Sequence, residues 1–179
     1  MKLSNRNELA RHLGQQLETG YGAEVGVQAG WFSRELKKHW GGFLLLIDAW
    51  RHWPVAYEKD DANVAHDQHL SHMTAVARLF IDRPDVIMVR AASVVASGMF
   101  PEGHFDWVYI DANHGYEAVK KDIAAWLPKV RSGGILAGHD YGAPADRGFG
   151  VQRAVDEIFG AANVNTTGDS YCSWWIKKT

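Results

Sequence analysis

The chain is poor in cysteine, in long apolar runs and in basic blocks, and each shortage excludes a class of protein. The single cysteine, Cys172, rules out an intrachain disulfide and favours a reducing compartment. The apolar run Phe43–Ile47 is far shorter than the roughly 20 residues that a membrane-spanning helix needs. The formal net charge is −2 and lysines and arginines are not clustered. We therefore expect no membrane partner and no nucleic-acid partner.

The rest of the composition is that of an ordinary globular protein. Of the 179 residues, 46% are apolar and 22% are charged, which argues against a disordered chain. No repeats or linkers divide the sequence, so we expect residues 1–179 to form one domain with no separate cap domain. A short N-terminal helix is predicted within residues 1–20, capped by Ser4 and with Leu9, Leu13 and Leu17 on one face. The first residues lack the apolar stretch of a signal peptide, and we expect a cytoplasmic location.

The stretch from Phe105 to Tyr141 predicts a strand, a helix and a second strand. Two short apolar runs, Trp107–Ile110 and Gly134–Ala137, flank a segment whose apolar residues recur at helical spacing. Such a unit forms parallel strands with a right-handed crossover. Acids and histidines follow directly after the two runs; they are Asp111, His114, His139 and Asp140. Because neighbouring parallel strands end at the same edge of a sheet, we expect these side chains to meet where open α/β folds bind ligands.

The whole chain shows the same alternation of strands and helices. The other predicted strands are residues 23–27, 43–47, 85–89, 163–167 and 172–177. The last two are joined by the turn sequence T-G-D-S, which is typical of a hairpin. This order predicts a Rossmann-like, doubly wound α/β/α sandwich with a mixed sheet. A helix is also predicted through about Phe80, with the buried residues Val64, Leu70, Met73, Ala77 and Phe80. Three histidines on this helix, His66, His69 and His72, are interpreted as a solvated helix face.

A turn with two glycines connects the first predicted strand to its helix, in the pattern Glu24-x-Gly26-x-x-x-Gly30. Glycine lets the backbone turn tightly and touch a ligand. Asp48, at the tip of the next strand, is placed to accept hydrogen bonds from ribose hydroxyls. Two glycines expose less backbone to a pyrophosphate than the three of a dinucleotide-binding turn, and Glu24 suits a cationic ligand. The pattern favours S-adenosylmethionine over NAD, and a generic strand-to-helix turn is the alternative.

These motifs resemble those of class I S-adenosylmethionine-dependent methyltransferases. E-V-G-V-Q-A-G is similar to the first motif of that family, L-I-D-A-W to the second and F-D-W-V-Y-I-D to the fourth. The segments L-P-K-V-R-S-G-G-I-L-A and S-W-W-I-K-K resemble the passage into its fifth strand and its terminal strand. The resemblance implies a seven-stranded sheet whose seventh strand is antiparallel, with S-adenosyl-L-methionine as the cofactor.

The resemblance also implies roles for individual residues. Those assigned to the cofactor are Glu24, Gly26 and Gly30 at its methionine end, Asp48 at its ribose, Trp50 and Ser93 near its adenosine, and Asp111. For Trp50, stacking near the adenosine and packing in the core are both open.

The polar strand ends are similar to those of the macrocin-type sugar O-methyltransferases. In that subgroup, acids at these strand ends hold a divalent cation, usually magnesium, and a histidine three residues after the first acid is the general base. The resemblance implies Asp111, His139 and Asp140 as metal ligands, and His114 with Asp111 as catalytic residues. His139 departs from the pattern, because an acid is common there and imidazole suits zinc, iron, nickel or manganese better than magnesium. Capping and loop contacts are the alternatives for all four residues.

The predicted reaction is methylation of a hydroxyl group on a small molecule of sugar or natural-product type. Histidine, with an ordinary pKa of about 6.5, can accept the hydroxyl proton at neutral pH. Two other hypotheses are a nicotinamide-dependent oxidoreductase and a binding module that no longer turns over. The predicted lids, residues 49–70 and 141–150, are short, which predicts either an open site for a large acceptor or completion of the site by another chain, such as a second copy in a homo-oligomer.

Overall fold

A seven-stranded sheet lies at the centre of the computed structural model, which describes residues 3–16, 20–53 and 62–179. The strands are β1 (Tyr21–Val25), β2 (Phe43–Asp48), β3 (Val86–Arg90), β4 (Phe105–Ile110), β5 (Val130–Gly138), β6 (Asn165–Thr166) and β7 (Trp174–Lys177). Their order is β3-β2-β1-β4-β5-β7-β6. Strands β1 to β5 are parallel, and β7 is antiparallel to both of its neighbours. The predicted mixed sheet is confirmed.

Helices cover both faces of the sheet. They are α1 (Arg6–Gln16), α2 (Trp31–His39), α3 (His66–Leu79), α4 (Ser93–Ser97), α5 (Tyr116–Trp126) and α6 (Val151–Phe159). Successive residues of a strand point to opposite faces. Accordingly, Val108 of β4 packs in a core with helices α4 to α6, whereas Trp107 packs in a second core with helices α1 to α3. The result is the predicted α/β/α sandwich. No helix in the described ranges is long and apolar enough to cross a membrane.

The start of α1 differs from the prediction. Asn5, rather than Ser4, caps this helix, because its side-chain oxygen accepts hydrogen bonds from the backbone N–H groups of Asn7 (3.0 Å) and Glu8 (3.2 Å). The Glu8 carboxylate accepts a hydrogen bond from the backbone N–H of Ser4 in return, at 2.7 Å. The predicted apolar face is present at Leu9 and Leu13, which are fully buried. Its third member, residue 17, lies outside the described ranges.

The inward face of α3 also differs from the prediction. The spacing of apolar residues predicted Leu70 and Ala77 inside, but the buried residues of this helix are His69 and Val76, and Ala77 is exposed. Met73 and Phe80 pack against the core as predicted, so the buried face differs from the prediction by one residue only at these two positions. The interpretation of His69 as part of a solvated face is therefore wrong.

Candidate functional site

A cavity of about 460 Å³ opens at the carboxyl ends of the parallel strands. This volume lies within the usual range for small-molecule sites, about 300–1,000 Å³. Four of the residues that the sequence assigned to a cofactor line it: Gly26, Asp48, Ser93 and Asp111. The adjacent predicted lid is only partly visible, since residues 54–61 lie outside the described ranges.

The turn after β1 holds the cavity wall against the end of β4. Gly26 has a φ of 94°, and a Cβ atom there would lie 1.9 Å from the carbonyl oxygen of Asp111. Any side chain at this position would therefore force the turn away from β4. Gly30 has a φ of 79° and precedes the first residue of α2. It does not line the cavity, and a Cβ atom there would lie 3.0 Å from a methyl carbon of Val76 on α3, so the structure shows Gly30 as the residue that begins the helix.

Asp48 is bonded to the turn that it faces. One carboxylate oxygen accepts hydrogen bonds from the backbone N–H groups of Val27 (2.9 Å) and Gln28 (2.8 Å). The other accepts from the backbone N–H of Trp50 at 2.7 Å. A carboxylate has about four acceptor positions. These three bonds leave about one of them for a ligand in the cavity.

Of the two residues assigned near the adenosine, only Ser93 lines the cavity. Its hydroxyl donates to the buried carboxylate of Asp122 and accepts from the indole N–H of Trp126 at 2.9 Å. Burial raises the pKa of Asp122 to about 6, against a smaller opposing effect of the Ser93 hydrogen bond. Trp50 is fully buried, and its indole N–H donates to the Gln28 carbonyl at 2.9 Å. The assignment of Trp50 to the cofactor is therefore corrected to the core-packing alternative.

A smaller cavity, of about 160 Å³, adjoins the first. Both cavities are lined in part by Gly26, Gln28, Ala62 and Asp111. Glu24 lines only the smaller one, where it is 1% exposed and accepts a hydrogen bond from Ser33. Burial raises the pKa of Glu24 to about 8, against the opposing effect of that hydrogen bond. Glu24 is therefore mostly uncharged at neutral pH.

The four acids and histidines predicted from the strand ends lie together beside the smaller cavity. His114 Nε2 lies 3.0 Å from an oxygen of Asp140 and 3.4 Å from an oxygen of Asp111. His139 Nδ1 lies 3.3 Å from the same Asp140 oxygen and 4.0 Å from Asp111. Burial alone would raise the pKa of Asp140, but hydrogen bonds from the two histidines hold it well below its usual range.

Three members of this cluster could hold a metal ion. Asp111, His139 and Asp140 each direct one ligand atom so that these atoms lie within 4.8 Å of one another. The combination of carboxylate oxygens with one imidazole nitrogen suits manganese, iron or zinc better than magnesium. The three residues are those that the sequence assigned to the metal.

Two contacts of the cluster were not predicted from the sequence. Arg6, on α1, places a guanidinium nitrogen 3.5 Å from Asp111, and its guanidinium carbon lies 4.8 Å from the centre of the Phe32 ring. Phe149 stacks on His114, with ring centres 4.9 Å apart and an interplanar angle of 16°. Phe149 lies in the predicted lid 141–150, whereas no local pattern marks Arg6, because its position depends on how α1 packs.

His69 is a further residue of the site that sequence reasoning missed. It is 7% exposed and lines the larger cavity. Its Nε2 atom is buried without a hydrogen-bond partner among the described residues, and the same is true of Nδ1 of His72. One signal could have identified it: His69 lies seven residues before Val76, so the two residues share one face of the helix. Centring the buried face of α3 on Val76 would have placed His69 inside.

Comparisons with known proteins show the family and the fold of the chain. A family model described as a methyltransferase domain matches residues 18–141. No curated protein sequence matches the chain. Solved structures share its fold at low identity, and the following are similar to it.

A structure named as a caffeoyl-CoA O-methyltransferase from Staphylococcus aureus is 13% identical, with a TM-score of 0.67 and coverage of 96% of this chain and 82% of that one. One named as an rRNA methylase from Clostridium thermocellum is 12% identical, with a TM-score of 0.69 and full coverage of both chains (100% each). The O-methyltransferase NovP is 18% identical, with a TM-score of 0.63 and coverage of 97% and 79%. At these identities the likeness shows the fold alone.

Proposed function

Because the chain belongs to the class I S-adenosylmethionine-dependent methyltransferases, we propose that it methylates a hydroxyl group of a small molecule of sugar or natural-product type. The observation that carries this proposal is the position of His114, which lies beside two carboxylates at the edge of the smaller cavity. The family match favours methyl transfer over the nicotinamide-dependent hypothesis. A binding module without turnover is the remaining alternative.

The two adjoining cavities suit the two ends of S-adenosylmethionine. The larger one offers Asp48 for the ribose and Ser93 with its neighbours for the adenine. The smaller one offers Glu24 near the methionine end, and Asp111 is common to both cavities. In this arrangement Asp111 would contact the cofactor where the two cavities meet, and His114, which lines the smaller cavity, would be available to the acceptor.

His114 is the proposed general base. Attack of a hydroxyl on the sulfonium methyl forms an O–C bond, breaks the S–C bond and releases the hydroxyl proton, which the imidazole accepts. Asp111 and Asp140 lie close enough to stabilise the imidazolium that results. The positioning of two reactants, rather than covalent chemistry by the protein, provides most of the expected rate enhancement.

We assign Asp111, His139 and Asp140 as the residues that would hold a divalent cation, which aligns the chain with the macrocin-type subgroup. Their three ligand atoms are close enough to share one ion, and two of the residues are acids, so the donor set fits a cation. A bound cation would lower the pKa of the acceptor hydroxyl. His139 in place of an acid favours manganese over magnesium as the first metal to test.

The metal assignment can be tested by titrating Mn²⁺ into the wild-type protein, Asp140→Asn and Asp146→Asn, with calorimetry as the measurement. We expect Asp140→Asn to weaken Mn²⁺ binding at least about tenfold, because it removes a charged oxygen ligand. Asp146 is an exposed acid a few residues away, and its substitution serves as the matched control. Equal Mn²⁺ affinity in all three proteins, with activity insensitive to chelator, would defeat the assignment.

Turnover can be tested separately from the metal. S-Adenosylhomocysteine binding followed by calorimetry tests the cofactor, and release of S-adenosylhomocysteine from S-adenosylmethionine in the presence of a panel of sugars and phenols tests transfer. Cofactor binding with no transfer to any hydroxyl compound would favour the binding module. Association of two copies of the chain, predicted from the short lids, remains a prediction that light scattering would test.

A further inference from the structure

We propose that His69 is a cofactor-binding residue whose Nε2 atom forms a hydrogen bond with a ribose hydroxyl of S-adenosylmethionine. This inference rests on the proposed use of the larger cavity for the nucleoside end of the cofactor. His69 lies on α3, one turn after its first residue, and belongs to none of the motifs that carry the family resemblance.

The first observation is an unsatisfied polar atom. His69 is only 7% exposed, and its Nε2 has no hydrogen-bond partner among the described residues. Buried polar atoms in folded proteins almost always have a partner, because an unsatisfied one is destabilising. A ligand that supplies the missing partner would remove this penalty on binding. The side chain also lines the larger cavity, which places the imidazole beside a ligand bound there.

The second observation concerns the limited capacity of Asp48. Three backbone N–H groups already occupy its carboxylate, those of Val27, Gln28 and Trp50. About one acceptor position remains, whereas a ribose presents two hydroxyls. His69 lines the same cavity as Asp48 and offers the additional polar atom. The pair can therefore satisfy both hydroxyls, which Asp48 alone cannot.

The charge state of His69 suits a hydroxyl ligand. Burial lowers the pKa of this histidine, and the nearby carboxylate of Asp48 only partly opposes the effect. The surrounding histidines, His52, His66 and His72, lower the pKa further. A neutral imidazole has one donor and one acceptor nitrogen, and a hydroxyl can pair with either. No charge has to be buried when the cofactor covers the ring.

His72 provides a matched control on the same helix. Its Nδ1 atom is also buried without a partner among the described residues, and its ring centre lies 6.5 Å from that of His69. However, His72 is not among the residues that line the cavity. Each of the two histidines has a buried nitrogen without a hydrogen-bond partner among the described residues, but only His69 lines the cavity. A comparison of the two separates a role in binding from a general role in stability.

The experiment compares the wild-type protein with His69→Leu and His72→Leu. Thermal unfolding without ligand should show that neither substitution lowers the midpoint, because each replaces an unsatisfied polar side chain with an apolar one. Calorimetry with S-adenosylhomocysteine should show affinity weaker by about five- to tenfold in His69→Leu and unchanged in His72→Leu. His69→Gln, which keeps a polar terminus, should recover part of the affinity and covers the case in which the leucine variant misfolds.

A second ligand locates the bond. With 2′,3′-dideoxy-S-adenosylhomocysteine, the wild-type protein and His69→Leu should bind with nearly equal affinity, because the hydroxyl partner is missing from both complexes. A loss in His69→Leu that is equally large for both ligands would overturn the ribose assignment. Equal affinity of the wild type and His69→Leu for S-adenosylhomocysteine would overturn the role of His69 while the proposed function stands. Absence of binding to the wild type would overturn both.

Discussion

The two sides of the site satisfy their polar groups in different ways. On the cavity side, the polar atoms of Asp48 and Ser93 are bonded mainly to the chain itself, to backbone N–H groups and to buried side chains. On the acid–histidine side, which comprises Asp111, His114, His139 and Asp140, the charged groups contact one another.

This difference indicates different tasks. Side chains fixed by the protein form a rigid wall, and a rigid wall suits the binding of a large ligand in one orientation. Acids and histidines that lie within a few ångströms of one another titrate as a coupled group, because the charge of each one changes the pKa of the others. A proton or a cation that enters such a group therefore changes the charge of several side chains. The cavity side is therefore suited to holding the cofactor and the acid–histidine side to the chemical step. His69 is the exception on the cavity side, since its Nε2 atom has no hydrogen-bond partner in the part of the chain that the structure describes.

The largest expected effect comes from removing the base. His114→Ala should lower turnover by about 10²–10⁴-fold, the usual contribution of a general base. Its affinity for S-adenosylhomocysteine should change by less than about threefold, because the side chain does not line the larger cavity assigned to the nucleoside and lies only at the edge of the smaller one. The measurements are release of S-adenosylhomocysteine with a hydroxyl acceptor and calorimetry of cofactor binding.

The control for this substitution is His66→Ala, an exposed histidine at the first residue of α3. It should leave both turnover and cofactor affinity near wild type. Full turnover in His114→Ala would show that His114 is not the general base. An equally large loss of cofactor affinity would show that the acid–histidine side also binds the cofactor, against the division of tasks between the two sides.

A second test concerns Glu24, which lies near both sides but is uncharged. Its pKa is raised from 4.5 to about 8 by burial, so between these values the folded protein keeps a proton that the unfolded chain releases. Stability from this group is therefore complete below pH 4.5 and falls as the pH rises toward 8. Glu24→Gln has no such proton, and its advantage over the wild type should grow by about 2 kcal/mol from pH 6 to pH 8.

Urea unfolding at several pH values measures this effect. All other titrating groups are common to both proteins and cancel in the difference. Glu102→Gln, at an exposed glutamate, should give a curve parallel to that of the wild type. A parallel curve for Glu24→Gln as well would mean that Glu24 is ionised in the folded protein. An ionised Glu24 would belong to the acid–histidine side, as a further negative charge near Asp111.

The positions of the strand-end residues could be predicted from the sequence. An apolar run that stops abruptly fixes where a buried strand ends, and that placed Asp48, Asp111 and Asp140 at one edge of the sheet. His114 and His139 followed because they lie within three residues of those ends. Asp111, His139 and Asp140, which the family resemblance assigned to a metal, lie close enough together to share one ion, and their role as ligands stays a prediction.

The partners of these side chains could not be predicted. The bonds from Asp48 to the turn depend on Gln28, which adopts the left-handed conformation with a φ of 49°. This conformation was not predictable, because the residue is neither glycine nor asparagine, the types that usually adopt it. His69 was placed on the wrong face because a helix with few apolar residues allows two registers that differ by one position. Arg6 reaches the site from a helix whose docking is set by the fold as a whole. Local pattern fixes where a strand ends, and tertiary packing decides which side chains meet there.

The smallest expected effect concerns Arg6, which connects this distant helix to the acid–histidine side. Its guanidinium lies 3.5 Å from an Asp111 oxygen, and the side chain is 34% exposed, so we expect a contribution of only about 0.2–1 kcal/mol from the pair. A cation held by Asp111 would compete with this positive charge. Arg6→Gln should therefore bind Mn²⁺ about two- to fivefold more tightly than the wild type, as measured by calorimetry at low ionic strength.

Arg11→Gln is the matched control, because Arg11 is exposed on the same helix and changes the net charge equally. If both variants gain the same affinity, the effect is one of net charge and Arg6 does not compete for Asp111. If Arg6→Gln instead loses Mn²⁺ affinity, the guanidinium supports the orientation of Asp111 rather than opposing the cation. A gain in Mn²⁺ affinity that occurs in Arg6→Gln and not in Arg11→Gln means that the metal ion replaces the Arg6 guanidinium at Asp111. The acid–histidine side would then exchange a cation of the protein for a metal ion, whereas the side chains of the cavity side keep their partners within the protein.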